Sequence, residues 1–401
     1  MATSTFSIPD ELSNQLRYVS ALDNRPFEEI LQSLDKYQSV VSEKNIWAFW
    51  DSGLRSMPRW CQRNVIDWVR LNGNDWTVRI LDHVEGSPNN VLKYVSKETL
   101  PSAYLKDEMT GPYVGQHSAD LVRGACLVTH GGVWLDVGII LFRKLDTICW
   151  QKLEDPLAPF AVSVMHMGGT GMSNHFIAAR KGSPFIKHWH ELFTYLWKDR
   201  TTCGGLSGHP LLALVLAGGK FYDDEETSYR FGWEHKAKGE HIMDYGAQVL
   251  AWQRIAMTEN TGDGFNGPEY FATKVLLLNV IEESWRAESL IGWRGSQLFN
   301  ILSTKLDTSA KSQKYQAAFK TVWTILAQAS MQKVYHGKEL LKYPALGELW
   351  DAAENENDEF EAGTFAELLR YGSVHFEQRR GIAYVQNPRP SATFRKGLYE
   401  A

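Results

Sequence analysis

Three charged residues in the stretch 117–146 have the types and the spacing to bind one charged ligand together. Asp120 and Arg123 lie three positions apart among apolar residues at helical spacing, so they share one face of a predicted helix. Asp136 directly follows the apolar run 133–135, where an unpaired charge is costly to bury. We predict that these three side chains form the centre of a ligand site.

A helix, a stop and a short strand must position these residues. The apolar residues of 118–130 recur at helical spacing, and Ser118 is placed to cap the start of that helix. Gly131 and Gly132 end it, because glycine adopts left-handed backbone conformations at little cost. A buried strand then leads to Asp136, and the turn after it precedes a second apolar run.

The stretch resembles sugar transferases with a GT-A fold, above all the capsular polysaccharide synthesis proteins and, behind them, the family 32 glycosyltransferases. Their shared pattern is S-D-x-x-R on a helix, a Gly-Gly stop, an aromatic residue and an Asp-x-Asp or Asp-Ala-Thr turn. The matching residues are Ser118, Asp120, Arg123, Gly131, Gly132, Trp134 and Asp136, with Ala119 inserted between the serine and the first aspartate. Val137 and Gly138 depart from the pattern, since the families place a second metal or diphosphate ligand there.

The resemblance implies a GT-A-like (Rossmann-like), mainly parallel sheet flanked by helices, and a nucleotide sugar as donor. It assigns Asp120, Arg123 and Asp136 as catalytic residues, and Asp136 with the late His375 as ligands of Mn²⁺ or Mg²⁺ on the donor's diphosphate. Gly138 offers no side chain, whereas hard divalent cations need several oxygen ligands. We therefore expect weak metal binding, and weak metal dependence or none.

Arg123 is open to two interpretations. If it binds the ligand, its replacement by alanine abolishes activity and leaves the melting temperature nearly unchanged. If it forms a structural, partly buried ion pair with Asp120, its loss costs several kcal/mol of stability.

A βαβ unit is predicted before this region. Residues 45–50 indicate a buried strand, 58–71 a helix with proline in its first turn, and 76–82 a second strand. This order is typical of a parallel sheet that binds ligands at the carboxyl ends of its strands. In the resembling families the first strand's exit loop receives the nucleotide base, which implies substrate-binding roles for Trp50 and Asp51.

Five further residues are candidates for substrate binding. The resemblance implies such a role for Trp134, the aromatic residue of the shared pattern, and for Asn174, which would lie on the acceptor side. The resemblance implies that the segment with Ser207 and His209 shapes the acceptor pocket. These two residues are two positions apart, so in an extended chain they would face one side and form a hydroxyl–imidazole pair. Glu377 is a carboxylate suited to binding a guanidinium group.

Composition limits the class of protein. With 401 residues, 44% of them hydrophobic, and 15 tryptophans, the chain can bury a large α/β core. Its net charge of −5 gives no overall attraction to nucleic acid or anionic membranes, and the acidic run 223–226 predicts a solvated loop. Four scattered cysteines fit a reducing compartment. We see no signal peptide and no run of roughly 20 apolar residues that would span a membrane, so we expect a cytoplasmic protein.

Three regions are predicted along the chain. Residues 1–43 indicate an N-terminal helical arm, 44–300 the GT-A-like catalytic domain, and 301–401 a mostly helical C-terminal region packed on it. Within this last region the segments 312–334 and 363–371 predict helices.

Three function classes stay open. The first, which the resemblance favours, is a glycosyltransferase that moves a sugar from a nucleotide sugar to a small-molecule or glycan acceptor. The second is the same fold used as a fungal arginine-containing cyclodipeptide synthase, which takes amino acids from aminoacyl-tRNA. Asp120, Asp136 or Glu377 would then bind the guanidinium group. The third is a binding protein that has lost catalysis, which the missing second carboxylate would explain.

Overall fold

The structure, a computed structural model, describes residues 6–218, 233–260, 262–390 and 392–401. The acidic run 223–226 lies outside the described residues. Two apolar cores, one on each face of a seven-stranded sheet, hold the helices against that sheet.

The main sheet is mixed, with one dominant strand direction. In chain order, the strands of the described residues are β1 (Leu16–Tyr18), β2 (Asn45–Phe49), β3 (Thr77–Leu81), β4 (Gly132–Leu135), β5 (Ile139–Leu141), β6 (Val162–Gly168), β7 (Gly171–Ala179), β8 (Val275–Asn279), β9 (Met331–Lys333), β10 (Phe376–Gln378) and β11 (Tyr384–Val385). Strands β1 and β10 form one separate two-stranded sheet, and β5 and β9 form another. The order across the sheet is β3, β2, β4, β7, β6, β8, β11. β2, β3, β4, β6 and β8 share one direction, whereas β7 and β11 run the other way. The predicted mainly parallel α/β sheet is confirmed, with an antiparallel strand near its middle.

Helices cover both faces of this sheet. Among the described residues they are α1 (Phe27–Leu34), α2 (Arg59–Asn72), α3 (Ser102–Leu105), α4 (Val114–His130), α5 (Gln151–Glu154), α6 (Pro184–Leu196), α7 (Ala213–Gly218), α8 (Gly239–Tyr245), α9 (Ala247–Met257), α10 (Gly267–Lys274), α11 (Val280–Glu283), α12 (Arg286–Ile291), α13 (Gly295–Leu302), α14 (Gln313–Gln328), α15 (Leu346–Trp350) and α16 (Phe365–His375). None of these described helices has both the length and the apolar character needed to cross a lipid bilayer.

The predicted βαβ unit is present as β2, α2 and β3. Helix α2 begins directly after Pro58, and β3 lies parallel to β2 with Ile46 beside Val78. Successive side chains of a strand point to opposite faces, so Ile46 packs into one apolar core and Trp47 into the other. The carboxyl end of β2 is thereby fixed at one edge of the layered fold.

The predicted helix, glycine stop and strand form as α4, Gly131 with Gly132, and β4. Helix α4 begins at Val114, so Ser118 is a buried residue inside the helix and not its cap. Gly131 and Gly132 have φ angles of 69° and 103°, and a Cβ atom at Gly132 would lie 2.6 Å from the carbonyl oxygen of Asn45. Only glycine fits there, and the chain passes directly from α4 into β4.

The N-terminal arm contains a strand that the sequence pattern did not predict. Helix α1 forms, but Leu16–Tyr18 is strand β1, paired antiparallel with β10 from the far end of the chain. Leu16 is buried and Tyr18 is exposed. The prediction of a helical arm over residues 1–43 is therefore wrong at Leu16–Tyr18, because a distant pairing partner outweighs local preference.

The C-terminal region supplies helices and also three strands. The predicted helix over 312–334 is wrong at its end, because α14 stops at Gln328 and Met331–Lys333 forms β9, antiparallel to β5. The register sets Lys333 opposite Ile139. Strand β11 joins the main sheet beside β8, so this region completes the sheet as well as packing on it.

Candidate active site

A cavity of about 620 Å³ opens at the carboxyl ends of β2 and β4. Its lining combines residues that follow these strands, residues of α4, and residues that follow β9. Among the side chains that line it are Trp50, Asp51, Asp120, Arg123, Trp134, Asp136, Asn174, Gln248 and Lys333. Cavities at this edge are where α/β sheets bind their ligands.

Asp136 stands at the exit of β4 with both carboxylate oxygens engaged. Oδ1 accepts hydrogen bonds from Trp134 Nε1 at 2.9 Å and from Arg123 Nη2 at 3.1 Å. Oδ2 accepts one from Lys333 Nζ at 2.8 Å. Burial alone would raise the pKa of Asp136, but the charges of Lys333 and Arg123 outweigh it and hold that pKa well below its ordinary value. Asp136 is therefore ionised at neutral pH.

Arg123 joins the carboxylate of α4 to that of β4. It is 2% exposed, and its Nη1 donates to Asp120 Oδ1 and to Gln248 Oε1, both at 2.5 Å. Its Nη2 reaches Asp136, and the guanidinium carbon lies 4.9 Å from the centre of the Trp134 ring. Arg123 is thus a buried ion-pair partner of both aspartates and lines the cavity as well.

Two amide side chains complete the network around Asp120. Asn174 Nδ2, from β7, donates to Asp120 Oδ1 at 3.0 Å and to Gln248 Oε1 at 2.8 Å. Gln248 Nε2, from α9, donates to the main-chain oxygen of Asp120 at 2.6 Å. The sequence pattern pointed to Asn174 but gave no signal for Gln248, which lies more than 100 residues from the Asp120 it supports.

His117 adds a positive charge one turn before Asp120. Its Nδ1 lies 3.3 Å from Asp120 Oδ2, and the ring is buried. Burial lowers the pKa of His117, but its interactions with Asp120 and Cys203 outweigh burial and raise that pKa to about 9. The imidazole is therefore protonated at neutral pH and forms part of the charged network.

Lys333 is a second member of the site, after Gln248, that the sequence did not predict. Its side chain is 12% exposed and lines the cavity. We predicted a helix through this position, and a lysine on a helix surface gives no reason to expect a ligand site. The strand β9 brings it to Asp136, 197 residues earlier in the chain.

Aromatic and aliphatic side chains make up much of the remaining cavity lining. They are Trp60, Met167, Met172, Trp233, Ile242, Val249, Trp285, Tyr335, Leu340 and Leu341, and the polar residues His235, His336, Lys338 and Asp351 line the cavity as well. A lining that combines apolar side chains with a smaller number of polar groups is typical of sites for small organic ligands.

Trp50, Asp51, Trp134 and Asn174 are the residues for which the resemblance and the pattern imply substrate binding. All four line the cavity, together with the three charged residues at its centre. Asp51 Oδ1 accepts a hydrogen bond from the main-chain nitrogen of Ser52 at 2.7 Å and the side chain is exposed. The carboxylate is therefore open to a ligand at the exit of β2.

Ser207 and His209 do not line the cavity in this structure. Ser207 donates to Asp244 Oδ1 at 2.5 Å and is buried, while His209 Nδ1 accepts from the main-chain nitrogen of Leu211 at 3.2 Å. The segment forms turns and a short 3-10 helix, and the extended chain on which we based their shared side is absent there. The predicted hydroxyl–imidazole pair does not form.

His375 and Glu377 also lie outside the cavity lining. His375 ends α16, where its Nδ1 lies 3.2 Å from the carbonyl oxygen of Val19 and its ring stacks on Tyr18. Glu377 lies in β10 and forms an ion pair with the exposed Arg17. Glu377 belongs to the β1–β10 ladder and His375 directly precedes it, so the shared site predicted for His375 and Asp136 is not what the structure shows.

The donor set at Asp136 does not fit a divalent ion. A metal would have to displace Lys333 or Arg123 from the carboxylate, and a Cβ atom at Gly138 would lie 3.1 Å from Tyr335 Cβ, which leaves little room for a second carboxylate. Across the described ranges, no group of three or more His, Cys, Asp and Glu side chains is arranged to hold a metal ion.

Comparison with protein families gives a match over the first half of the chain. Residues 13–204 match the family described as capsular polysaccharide synthesis protein. The matched segment includes α4, β4 and Asp136, on which the resemblance in the sequence rests.

Several named relatives match almost the whole chain. Probable glycosyltransferase FCK3 of Fusarium pseudograminearum is 44% identical over 398 residues, which cover 98% of this chain and 99% of that protein. O-glycosyltransferase braB of Annulohypoxylon truncatum is 40% identical, over 96% of this chain and 91% of its own. O-glycosyltransferase PaGT of Phomopsis amygdali is 36% identical, over 93% and 92%.

Among solved structures, the PaToxG glycosyltransferase is similar at 16% identity, over 56% of this chain and 92% of its own. The TM-score is 0.29, which is too low to support a conclusion about the fold.

Proposed function

The chain belongs to the family of fungal glycosyltransferases represented by these relatives, and from that premise we propose that it transfers a sugar from a nucleotide sugar to a hydroxyl group of an apolar small molecule. Glycosyl transfer itself follows from relatives that share 36–44% identity over most of the chain. The comparisons give no support to the cyclodipeptide synthase or to the non-catalytic binding protein. The donor, the acceptor and the site residues belong to the proposal.

The observation that carries the donor assignment is the buried Arg123 between Asp120 and Asp136, beside the cavity at the carboxyl end of β4. A sheet of this type, with Trp50 and Asp51 at the exit of β2, supports the GT-A arrangement in which the base lies at the first strand. The charged network is then next to the donor's diphosphate and sugar. We assign Asp120, Arg123 and Asp136 as its main elements.

The reaction is a displacement at the anomeric carbon. The bond from this carbon to the phosphate oxygen breaks, and the electron pair leaves with the nucleoside diphosphate. The acceptor's hydroxyl oxygen forms the new bond to carbon, and its proton passes to water. Positive groups near the departing phosphate lower the barrier because negative charge grows there in the transition state.

The acceptor assignment rests on the apolar part of the cavity. Trp60, Met172, Ile242 and Leu340 line a space of about 620 Å³ in total, which is within the range of small-ligand sites. A glycan chain needs many polar partners along its length, whereas these side chains offer apolar contact. The O-glycosyltransferase names of two relatives support oxygen as the acceptor atom.

A cytoplasmic location is part of the same proposal. All four cysteines are free thiols, and three of them are buried. Free thiols are typical of proteins in reducing compartments.

The test is incubation of the purified protein with a panel of nucleotide sugars and hydroxylated apolar acceptors. Mass spectrometry should detect released nucleoside diphosphate and an acceptor heavier by one sugar. Asp136→Asn should abolish the product, while Asp307→Asn, which removes an exposed carboxylate elsewhere, should not. A parallel incubation with charged tRNAs should give no dipeptide. A dipeptide without sugar transfer would overturn the proposal.

A further inference from the structure

The charge balance at Asp136 differs from that of a metal-bound turn. In the resembling families two carboxylate positions face a divalent cation, but here the second position is Gly138 and the first is already neutralised. Asp136 Oδ2 is 2.8 Å from Lys333 Nζ, and Oδ1 is 3.1 Å from Arg123 Nη2. Each carboxylate oxygen of Asp136 thus already has a protein cation as its partner.

The fold fixes Lys333 at this place through its backbone. Strand β9 pairs with β5 so that Lys333 lies opposite Ile139, and its main-chain nitrogen donates to the carbonyl oxygen of Ser284 at 3.0 Å. Its neighbours Gln332 and Val334 are buried, while the Lys333 side chain lines the cavity. The strand alternation therefore aims this one side chain at the ligand space.

The ammonium group also has donors to spare. A lysine ammonium carries three N–H donors, and within the described residues Asp136 is the one hydrogen-bond acceptor assigned to Lys333 Nζ. Two donors remain for an anion in the cavity.

We propose that Lys333 takes the place of the divalent metal, binding the donor's diphosphate directly and stabilising it as it departs. Asp136 holds the ammonium in position. As the anomeric carbon–oxygen bond breaks, the electron pair moves onto the phosphate oxygen, and the fixed positive charge of Lys333 stabilises it. The acceptor's proton passes to water, so the step needs no further reactant.

This inference rests on the proposed function, because it requires a diphosphate leaving group. It is tested by binding of uridine diphosphate and guanosine diphosphate, measured by calorimetry with a chelator and again with added Mn²⁺. At least one of the two should bind the wild-type chain equally well under both conditions. Lys333→Met should weaken that binding about tenfold to a hundredfold, the usual effect of losing a charged hydrogen bond.

Two further variants test whether diphosphate binding depends on a positive charge at position 333. Lys333→Arg keeps a cation beside Asp136 and should retain most of the binding. Lys305→Met removes an exposed lysine that pairs with Glu361 and should bind like the wild type. Equal binding by Lys333→Met and Lys305→Met would overturn the inference.

The wild-type measurement decides the question even if methionine at position 333 prevents folding. Binding that disappears with chelator and returns with Mn²⁺ would show a metal site and overturn the inference, while leaving glycosyl transfer intact. Absence of binding by either diphosphate, together with absence of sugar transfer from the whole donor panel, would instead overturn the proposed function and the inference with it.

Discussion

Replacing Arg123 by methionine should remove activity and lower stability at the same time. The guanidinium is 2% exposed and donates to two carboxylates and one amide. Methionine keeps much of the side-chain volume but leaves Asp120 and Asp136 without this partner. The structure therefore favours a buried ion pair that is also part of the ligand site, and we no longer expect an unchanged melting temperature.

The size of the effect follows from the burial of the pair. Removing one partner of a buried ion pair costs about 3–5 kcal/mol. For 401 residues, an unfolding entropy of about 2.1 cal/mol/K per residue gives about 0.8 kcal/mol/K for the chain. Dividing the energy by this entropy predicts a melting temperature lower by about 4–6 °C.

Tryptophan fluorescence during heating provides the assay, since the chain has 15 tryptophans. The matched control is Arg17→Met, which breaks an exposed ion pair with Glu377 and should shift the melting temperature by about 1 °C or less. The double variant Asp120→Asn with Arg123→Met should lose less stability than the sum of the single variants, because the two side chains interact. Equal melting temperatures for Arg123→Met and Arg17→Met would refute the reasoning.

Three other predictions use different parts of the molecule. The pKa of His117 is raised from 6.5 to about 9, so protonated His117 stabilises the fold. This stabilisation is fully present below pH 6.5 and is lost as pH rises through 9. The melting temperatures of the wild type and of His117→Gln should therefore converge over this pH range, and a constant difference between them would contradict the prediction. Gly132→Ala should lower the melting temperature by several degrees, because its Cβ atom would meet the Asn45 carbonyl oxygen at 2.6 Å; an unchanged transition would count against the glycine argument. His375→Ala should keep the transfer rate within about twofold of the wild type, and a complete loss of activity would restore it as a site residue.

The sequence was sufficient to predict the structure where a local pattern determines it. Gly131 and Gly132 predicted the sharp passage from helix to strand, because few residues adopt φ angles of 69° and 103°. Asp120 and Arg123 were placed on one helix face by their spacing alone, and the structure brings them together with Asp136 on one cavity. Each of these inferences depends on residues fewer than 20 positions apart.

The sequence was insufficient where distant segments meet. Gln248 and Lys333 reach the site from α9 and β9, and neither position carries a local signal of its partners. The helical pattern around Lys333 was outweighed by pairing with β5. Ser207 and His209 were instead predicted as site residues and do not line the cavity. Their spacing implies a shared face only in an extended chain, and the segment turns instead.

On the ribosome, this site stays incomplete until residues 331–333 have been made. Strands β9, β10 and β11 come from the last part of the chain, yet they pair with β5, β1 and β8. Until β9 emerges, Asp136 lacks Lys333, and the edge of β8 that β11 covers stays open. Contacts of such long sequence separation form slowly and leave exposed strand edges that aggregate. A nascent chain stopped after residue 300 would therefore be a substrate for chaperones and proteases, and would not be a smaller working enzyme.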